Sequence, residues 1–288
     1  MQVSYQIEKF KYIYQLILIF QINIIKLIIS NKQVNSQLVS QLVFQKMILE
    51  ILGMIALVVG FNYSLKFIKR NDDVQNSNEF HLIRRIQHLG SGLVILIIAI
   101  LVSDTLALYG SLCGFLYFLC VHILRKKNER FNQMYLNTFK FLLRPHEIEG
   151  LPGAFFFLLG VFLSLAIFDK PIALIGILFL SFGDPFASLC GIYFKSLQFM
   201  EGKSISGTLG CGIICTICGV IFRLVYLDYL HYQRLDNTSY LHYSIACFLI
   251  SILAEIGPNS RKYYFDDNLT IPIYTCILFE LFFRITLS

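Results

Sequence analysis

Residues 171–191 read Pro-Ile-Ala-Leu-Ile-Gly-Ile-Leu-Phe-Leu-Ser-Phe-Gly-Asp-Pro-Phe-Ala-Ser-Leu-Cys-Gly, and this stretch decides the fold class. About twenty mostly apolar residues suffice for a helix to cross a hydrocarbon core ~30 Å thick. Further stretches of this kind run at 48–66, 89–103, 105–124, 153–168, 205–227, 241–256 and 269–287. The expectation is an all-α, polytopic transmembrane helical bundle of about eight spans, with a ninth candidate at 11–29. Composition agrees: 56% of the 288 residues are hydrophobic and 15% charged, and mean hydropathy is +0.66. That balance excludes a disordered chain, a collagen-like chain and a large water-soluble catalytic domain. Most of the eight cysteines lie inside apolar runs and read as small core residues rather than a disulfide scaffold.

The net charge of +6 concerns topology, not nucleic acid. Placing the spans in order collects Lys66, Lys69, Arg70, Arg84, Arg85, Arg125, Lys126, Lys127, Arg130, Lys140, Arg144, Lys195, Lys203, Arg261 and Lys262 on one face, leaving only Lys170 and Arg234 in the loops of the other. By the positive-inside rule the crowded face is cytosolic. The segment 1–46 is rich in Gln and Ile and reads as a dispensable extension. Met47 then opens a single integral membrane domain over 47–288.

Four polar constellations gather on the crowded face. Arg84-Arg85-Ile-Gln-His88 offers two cations and an imidazole one turn apart, suited to phosphate or simply to snorkelling at a span edge. Arg144-Pro-His-Glu147-Ile-Glu149 reads as a solvated turn. In Gly183-Asp184-Pro185-Phe-Ala-Ser188-Leu-Cys-Gly191, a carboxylate stands at membrane depth, where charge is retained mainly for function. Gly183 and Pro185 are expected to break the helix there. Lys203-Ser204-Ile-Ser206-Gly207-Thr208 reads as a phosphate cradle at a helix N-terminus. Finally, Glu255 precedes Asp266-Asp267-Asn268-Leu-Thr270-Ile-Pro272, whose hard oxygens suit Mg²⁺ held together with substrate phosphates.

Taken together over about residues 80–280, these motifs resemble the membrane-embedded CTP-dependent lipid kinases, the family of diacylglycerol kinase, dolichol kinase and phytol kinase. The Arg144-x-x-Glu147 loop and the Asp-Asp-Asn-Leu-Thr-Ile-Pro string look closest to the CTP-dependent diacylglycerol kinase branch. Arg85, Ser206 and Thr208 depart from the family's usual Lys, acidic or small residue, and Ser.

The resemblance implies transfer of the γ-phosphoryl of CTP to a lipid hydroxyl, most simply diacylglycerol giving phosphatidate, at the cytosolic face of the endoplasmic reticulum. Dolichol and phytol are the alternative acceptors. In this reading Asp184, Lys203, Glu255 and Asp267 are catalytic, and Asp184, Asp266 and Asp267 hold Mg²⁺ or another divalent cation. Arg84, Arg85, His88, Ser188, Gly191, Ser204, Gly207, Thr208 and Asn268 bind nucleotide or phosphate. Either Asp184 or Glu255 would orient the lipid hydroxyl. The expected partners are the lipid alcohol, the nucleotide and the bilayer, with no nucleic acid.

A cytidylyltransferase forming a CDP-lipid would use related substrates, but its signatures are missing from the chain. A transporter would place its polar groups at the midplane and show an inverted repeat; here they gather at one face. Two glycosylation acceptors test the orientation, Asn237-Thr238-Ser239 on the sparse face and Asn268-Leu-Thr270 on the crowded one. Site mapping in a glycosylating host should find sugar on Asn237 alone. Sugar on Asn268 would invert the assigned topology.

Overall fold

The computed structural model describes residues 77–139, 143–200, 202–235, 238–257 and 266–287. The extension 1–46, the predicted span at 48–66, the ninth candidate at 11–29 and Asn237 lie outside them. Eight helices of eight residues or more stand in the described part: α1 (Ser77–Leu101), α2 (Asp104–Lys127), α3 (Glu129–Phe139), α4 (Gly153–Ile167), α5 (Lys170–Tyr193), α6 (Ile205–Phe222), α7 (Tyr240–Ile256) and α8 (Asp267–Leu287). A two-stranded antiparallel hairpin, β1 (Gln198–Met200) with β2 (Lys203–Ser204), precedes α6. Gly202 makes its turn at φ 77°, a conformation open mainly to glycine.

Local signals place the helix starts. Ser103 caps α2, its hydroxyl accepting from Leu106 N at 3.3 Å, and Ser239 caps α7, accepting from His242 N at 3.2 Å. Pro171 occupies the first turn of α5, where its missing N–H costs nothing. Asp104 opens α2 and Arg125, Lys126 and Lys127 close it, matching the helix dipole at both ends.

The faces of α6 show what surrounds the bundle. Ile205, Leu209, Ile213, Ile217 and Ile221, four residues apart, are exposed. Gly207, Cys211, Cys215 and Gly219 form the buried stripe. On α7, Leu241, Ile245, Leu249 and Leu253 are likewise exposed. Large apolar residues outward and small ones inward is the pattern of helices packed in lipid, where close backbone approach replaces the hydrophobic drive. Together with the helix lengths, it makes this an all-α integral membrane protein.

Five helices are long and apolar enough to span: 84–101 within α1, α2, α5, 205–227 through α6, and 267–286 within α8. The stretches predicted at 153–168 and 241–256 form α4 and α7, of 15 and 17 residues. At 1.5 Å per residue these reach about 22 and 25 Å, short of a ~30 Å core. Among the described residues, then, five helices are long enough to span and two apolar ones are shorter, against the seven spans predicted there.

Two further expectations are corrected. α5 runs unbroken through Gly183-Asp184-Pro185. Pro185 removes one backbone donor, yet thirteen buried residues along α5 pack it against α1, α6 and α8, and this surround holds it helical. The basic stretch after α2 continues into α3, an amphipathic 11-residue helix that sequence reading did not foresee.

The ends of the bundle differ in charge as the loop sorting requires. At the end away from the motifs, Lys170 pairs with Asp104 at 3.2 Å and donates to Val102 O at 2.6 Å. Arg234 pairs with Asp169 at 2.8 Å and Glu280 at 2.5 Å. Both loop cations of the sparse face are thus paired with carboxylates, as are Arg223 with Asp228 at 3.4 Å and Arg284 with Glu280 at 2.9 Å.

α1 crosses α5 at Gly92, where an added Cβ would sit 2.6 Å from Ser181 Cβ and 3.2 Å from Ser181 Cα. Those atoms belong to a buried helix and cannot swing aside. Gly92→Ala should therefore destabilise the detergent-solubilised protein by about 1–3 kcal/mol, the usual cost of overpacking, read as a lower thermal midpoint, and Gly92→Val should cost more. Unchanged midpoints would show that the crossing is looser than described.

Candidate functional site

The crossing at Gly92 and Ser181 lies one turn from two of the predicted site residues. His88, four residues before Gly92, places Nε2 at 4.0 Å from Asp184 Oδ2, and 3.4 Å from Leu180 O. Its ring meets Phe157 of α4 edge-on, centroids 5.5 Å apart. Arg85 donates to Ser188 Oγ one turn further along α5. Asp184 is also under the electrostatic influence of Arg144, Lys203 and Arg84. Three separate elements therefore aim cations at one carboxylate.

The loop before α4, read as a solvated turn, is part of the site. Glu147 is buried, 4% exposed. Its Oε2 accepts from Arg144 N at 2.9 Å and its Oε1 from Gly153 N at 3.1 Å, so one carboxylate fixes both the loop and the start of α4. Arg144 then reaches Asp266 Oδ2 at 3.4 Å. Asp266 Oδ1 accepts from Asn268 N at 2.9 Å, and Asn268 Nδ2 donates to Gly153 O at 3.3 Å. Burial pushes the Asp266 carboxyl above its ordinary range, and Arg144 offsets this only in part. Burial works against the Arg144 charge too, but Asp266, Asp184, Glu147 and Asp267 together outweigh it and raise its pKa. The asymmetry is physical: Arg144 faces four carboxylates, while Asp266 shares its one guanidinium with them.

Lys203 joins three elements. From β2 its Nζ donates to Glu255 Oε1 of α7 at 2.7 Å and lies 3.5 Å from Asp267 Oδ2 of α8. Burial opposes its charge, but Glu255 and Asp267 outweigh that and raise its pKa. The second oxygen of Glu255 is buried without a hydrogen-bond partner, as is the hydroxyl of Thr208.

The predicted cradle at the start of α6 is met by the chain's own acceptors. Ile205 N donates to Leu197 O, Ser206 N to Ser196 Oγ, and Gly207 N to Ser204 Oγ. Ser204 is thus the helix cap. Gly191 and Gly207 allow close packing: a Cβ on Gly191 would come 2.9 Å from Ser204 Oγ, and one on Gly207 2.7 Å from Ala187 O.

The predicted site residues fall into three adjoining groups, Arg84, Arg85, His88, Asp184 and Ser188; Lys203, Glu255 and Asp267; and Asp266 with Asn268. Asp184, Asp266 and Asp267 do not form one tight set of donors. Among the described residues the donor atoms that lie within 4.8 Å of one another are those of His146, Glu147 and Asp266. Both carboxylates of that set are already engaged by backbone and Arg144, so its role is structural. No other group of three such residues among the described ones brings its donor atoms this close, so Asp184, Asp267 and Glu255 do not make a ready-built set either. Arg144 and Glu147 are the site members that sequence reading undervalued; their position between two apolar helices, on the motif face, is the signal that places them.

A cavity of about 320 Å³ opens from this polar end. Arg84, Arg85, His88, Arg144, Glu147, Asp184, Ser188 and Asn268 are its charged and polar members together with Gln87, Ser91, Ser111, Tyr117 and Tyr135, and mostly apolar residues of α1, α2 and α4 line the rest. Lys203, Glu255, Asp266 and Asp267 are not among its walls. Asp184 stands between the cavity and the Lys203 group.

Similarity to known proteins comes after this geometry. The chain is 27% identical over 173 residues to a CTP-dependent diacylglycerol kinase 1 of Eremothecium gossypii, covering 57% of this chain and 55% of the relative. Against the CTP-dependent diacylglycerol kinase 1 of Saccharomyces cerevisiae it is 24% identical over 173 residues, 57% of this chain and 60% of the relative. An uncharacterized protein of Rickettsia prowazekii is 30% identical over 172 residues, 57% of this chain and 76% of that one. The alignments thus span somewhat over half the length of the two kinases. No family model and no solved structure matches the chain.

Removing Lys203 would leave Glu255 buried and uncompensated. Lys203→Met should cost about 3–5 kcal/mol, the usual penalty for breaking a buried pair, and the double variant Lys203→Met with Glu255→Leu should recover most of it. Thermal midpoints in detergent for the two variants decide this. No recovery in the double variant would mean that Glu255 is not the partner that matters.

Proposed function

We propose, because the chain belongs to the CTP-dependent lipid kinases on their diacylglycerol kinase branch, that it transfers the γ-phosphoryl of CTP to the hydroxyl of diacylglycerol, giving phosphatidate. The observation that carries the reading is the placement of Asp184. This carboxylate lines a largely apolar cavity, faces His88 at 4.0 Å, and is under the electrostatic influence of Arg144, Lys203 and Arg84. Phosphoryl transfer needs little covalent help from protein; it needs positioning and positive charge around the transferring group. Both are present here within one turn of a carboxylate able to accept a proton.

The roles divide along the same line. The lipid hydroxyl approaches from the cavity, so Asp184 takes its proton as the oxygen attacks the γ-phosphorus. The bond from that phosphorus to the bridging oxygen breaks, and CDP leaves on the side of Lys203. Glu255 does not line the cavity, and its tie to Lys203 makes it a positioning residue. This favours Asp184 over Glu255 as the group that takes the proton. Arg84, Arg85 and Arg144 balance phosphate charge. Asp184 and Asp267 would hold Mg²⁺ together with oxygens of the nucleotide phosphates, whose charge the ion would offset when bound. The motif end faces the cytosol by its excess of cations, where CTP is available, and the endoplasmic reticulum is the expected membrane.

Purified protein with CTP, Mg²⁺ and diacylglycerol should yield phosphatidate. Asp184→Asn should lower turnover by about 10²–10⁴-fold, the range of general-base catalysis, while leaving the thermal midpoint unchanged or higher. Near-normal turnover in Asp184→Asn would remove Asp184 from the chemistry, and loss in Glu255→Gln alone would transfer its role there.

A further inference from the structure

The apolar part of the cavity has a shape that the phosphate chemistry does not require. α1 and α2 are joined by only two residues, Val102 and Ser103, yet they diverge, since α1 packs mainly on α5 and α2 on α4. The wedge between them is the cavity. Along α1 it runs from Arg84 to Ala99, fifteen residues or about 22 Å at 1.5 Å per residue. One leaflet of a ~30 Å core is about 15 Å deep, so the wedge runs deeper than one leaflet and has room for an acyl chain laid along it. A volume of about 320 Å³ over that length describes a slot, not a bowl.

Its walls suit hydrocarbon. Ile98 and Ala99 of α1, Ala107 and Gly114 of α2, and Val161 and Leu165 of α4 line it. Tyr117 and Tyr135 also bring hydroxyls to its walls, and the two serine hydroxyls along it are satisfied within their own helices: Ser91 donates to Gln87 O at 2.7 Å and Ser111 to Leu108 O at 2.8 Å. Neither serine asks for water or for a polar ligand. At the head the walls change to Arg84, His88 and Asp184. One end of the slot therefore selects an anion or a hydroxyl, and the remainder selects an alkyl chain.

We infer that the wedge between α1, α2 and α4 is an acyl-chain slot, which takes one chain of the lipid alcohol lengthwise and thereby fixes its hydroxyl beside Asp184. This rests on the kinase reading above, and it adds a selectivity to it: chain length is measured by the protein. The second acyl chain stays in the bilayer. A polyprenol is much longer than the slot's about 22 Å.

The test uses the full chain in phosphatidylcholine vesicles with a diacylglycerol carrying a diazirine near the end of one acyl chain. Photolysis followed by peptide mapping should place the label on the deep walls, at Ile98, Ala107 or Leu165. Label confined to the lipid-facing stripe of α6 or α7 would overturn the slot. Because crosslinking needs no turnover, label in the slot without phosphatidate formation would fault the kinase reading instead. Ala107→Phe supplies a second measure, shifting preference from long-chain diacylglycerol toward dioctanoylglycerol by about tenfold or more. An unchanged preference in a folded variant would likewise overturn the slot.

Discussion

Lys203 between Glu255 and Asp267 is the contact on which the motif end depends. It joins a hairpin, the end of α7 and the start of α8, three elements far apart in sequence. Isolated charge near a membrane is costly, so each carboxylate here survives by having a cation from another element. The same logic links Arg144 to Asp266 and brings Arg84 within reach of Asp184. Pairing of this kind holds the elements in register. Glu147 extends the network through backbone amides rather than cations, and so fixes the loop without consuming a positive charge.

Helix packing serves that arrangement. Gly92 lets α1 lie against Ser181, which sets His88 and Asp184 one turn away. Gly160 lets α4 approach α8, where an added Cβ would meet Asn268 O at 2.8 Å. With α1 drawn to α5 and α2 to α4, the two neighbours in sequence part company, and the cavity opens between them. Aromatic packing anchors the opposite side of the bundle, with Phe179 edge-on to Phe279 at 5.5 Å. The catalytic end is thus polar and paired, and the rest of the bundle is rigid and apolar.

Much of this was legible in the residues. The apolar runs marked the helices, their ends sorted the cations to one face, and Asp184, Lys203 and Asp267 stood out because charge so close to a span needs a reason. Other features were not legible for physical reasons. Pro185 was expected to break α5, because sequence shows the lost hydrogen bond but not the burial that compensates for it. Glu147 looked like a surface carboxylate because its partners are backbone amides, which carry no signature in sequence. The wedge between α1 and α2 depends on which neighbour each helix chooses, and apolar periodicity is silent on that. The short helices α4 (Gly153–Ile167) and α7 (Tyr240–Ile256) coincide with the apolar runs that predicted them, and it is their length alone that falls short of a full span.

The central claim is that Asp184 divides a lipid compartment from a nucleotide compartment. The most direct measurement is an experimental structure of the protein with a non-hydrolysable CTP analogue and diacylglycerol bound together. The account predicts the γ-phosphate on the side of Lys203 and Arg144, and the lipid hydroxyl within hydrogen-bond distance of Asp184. The nucleotide lying in the wedge between α1 and α2, with Asp184 facing neither substrate, would contradict it.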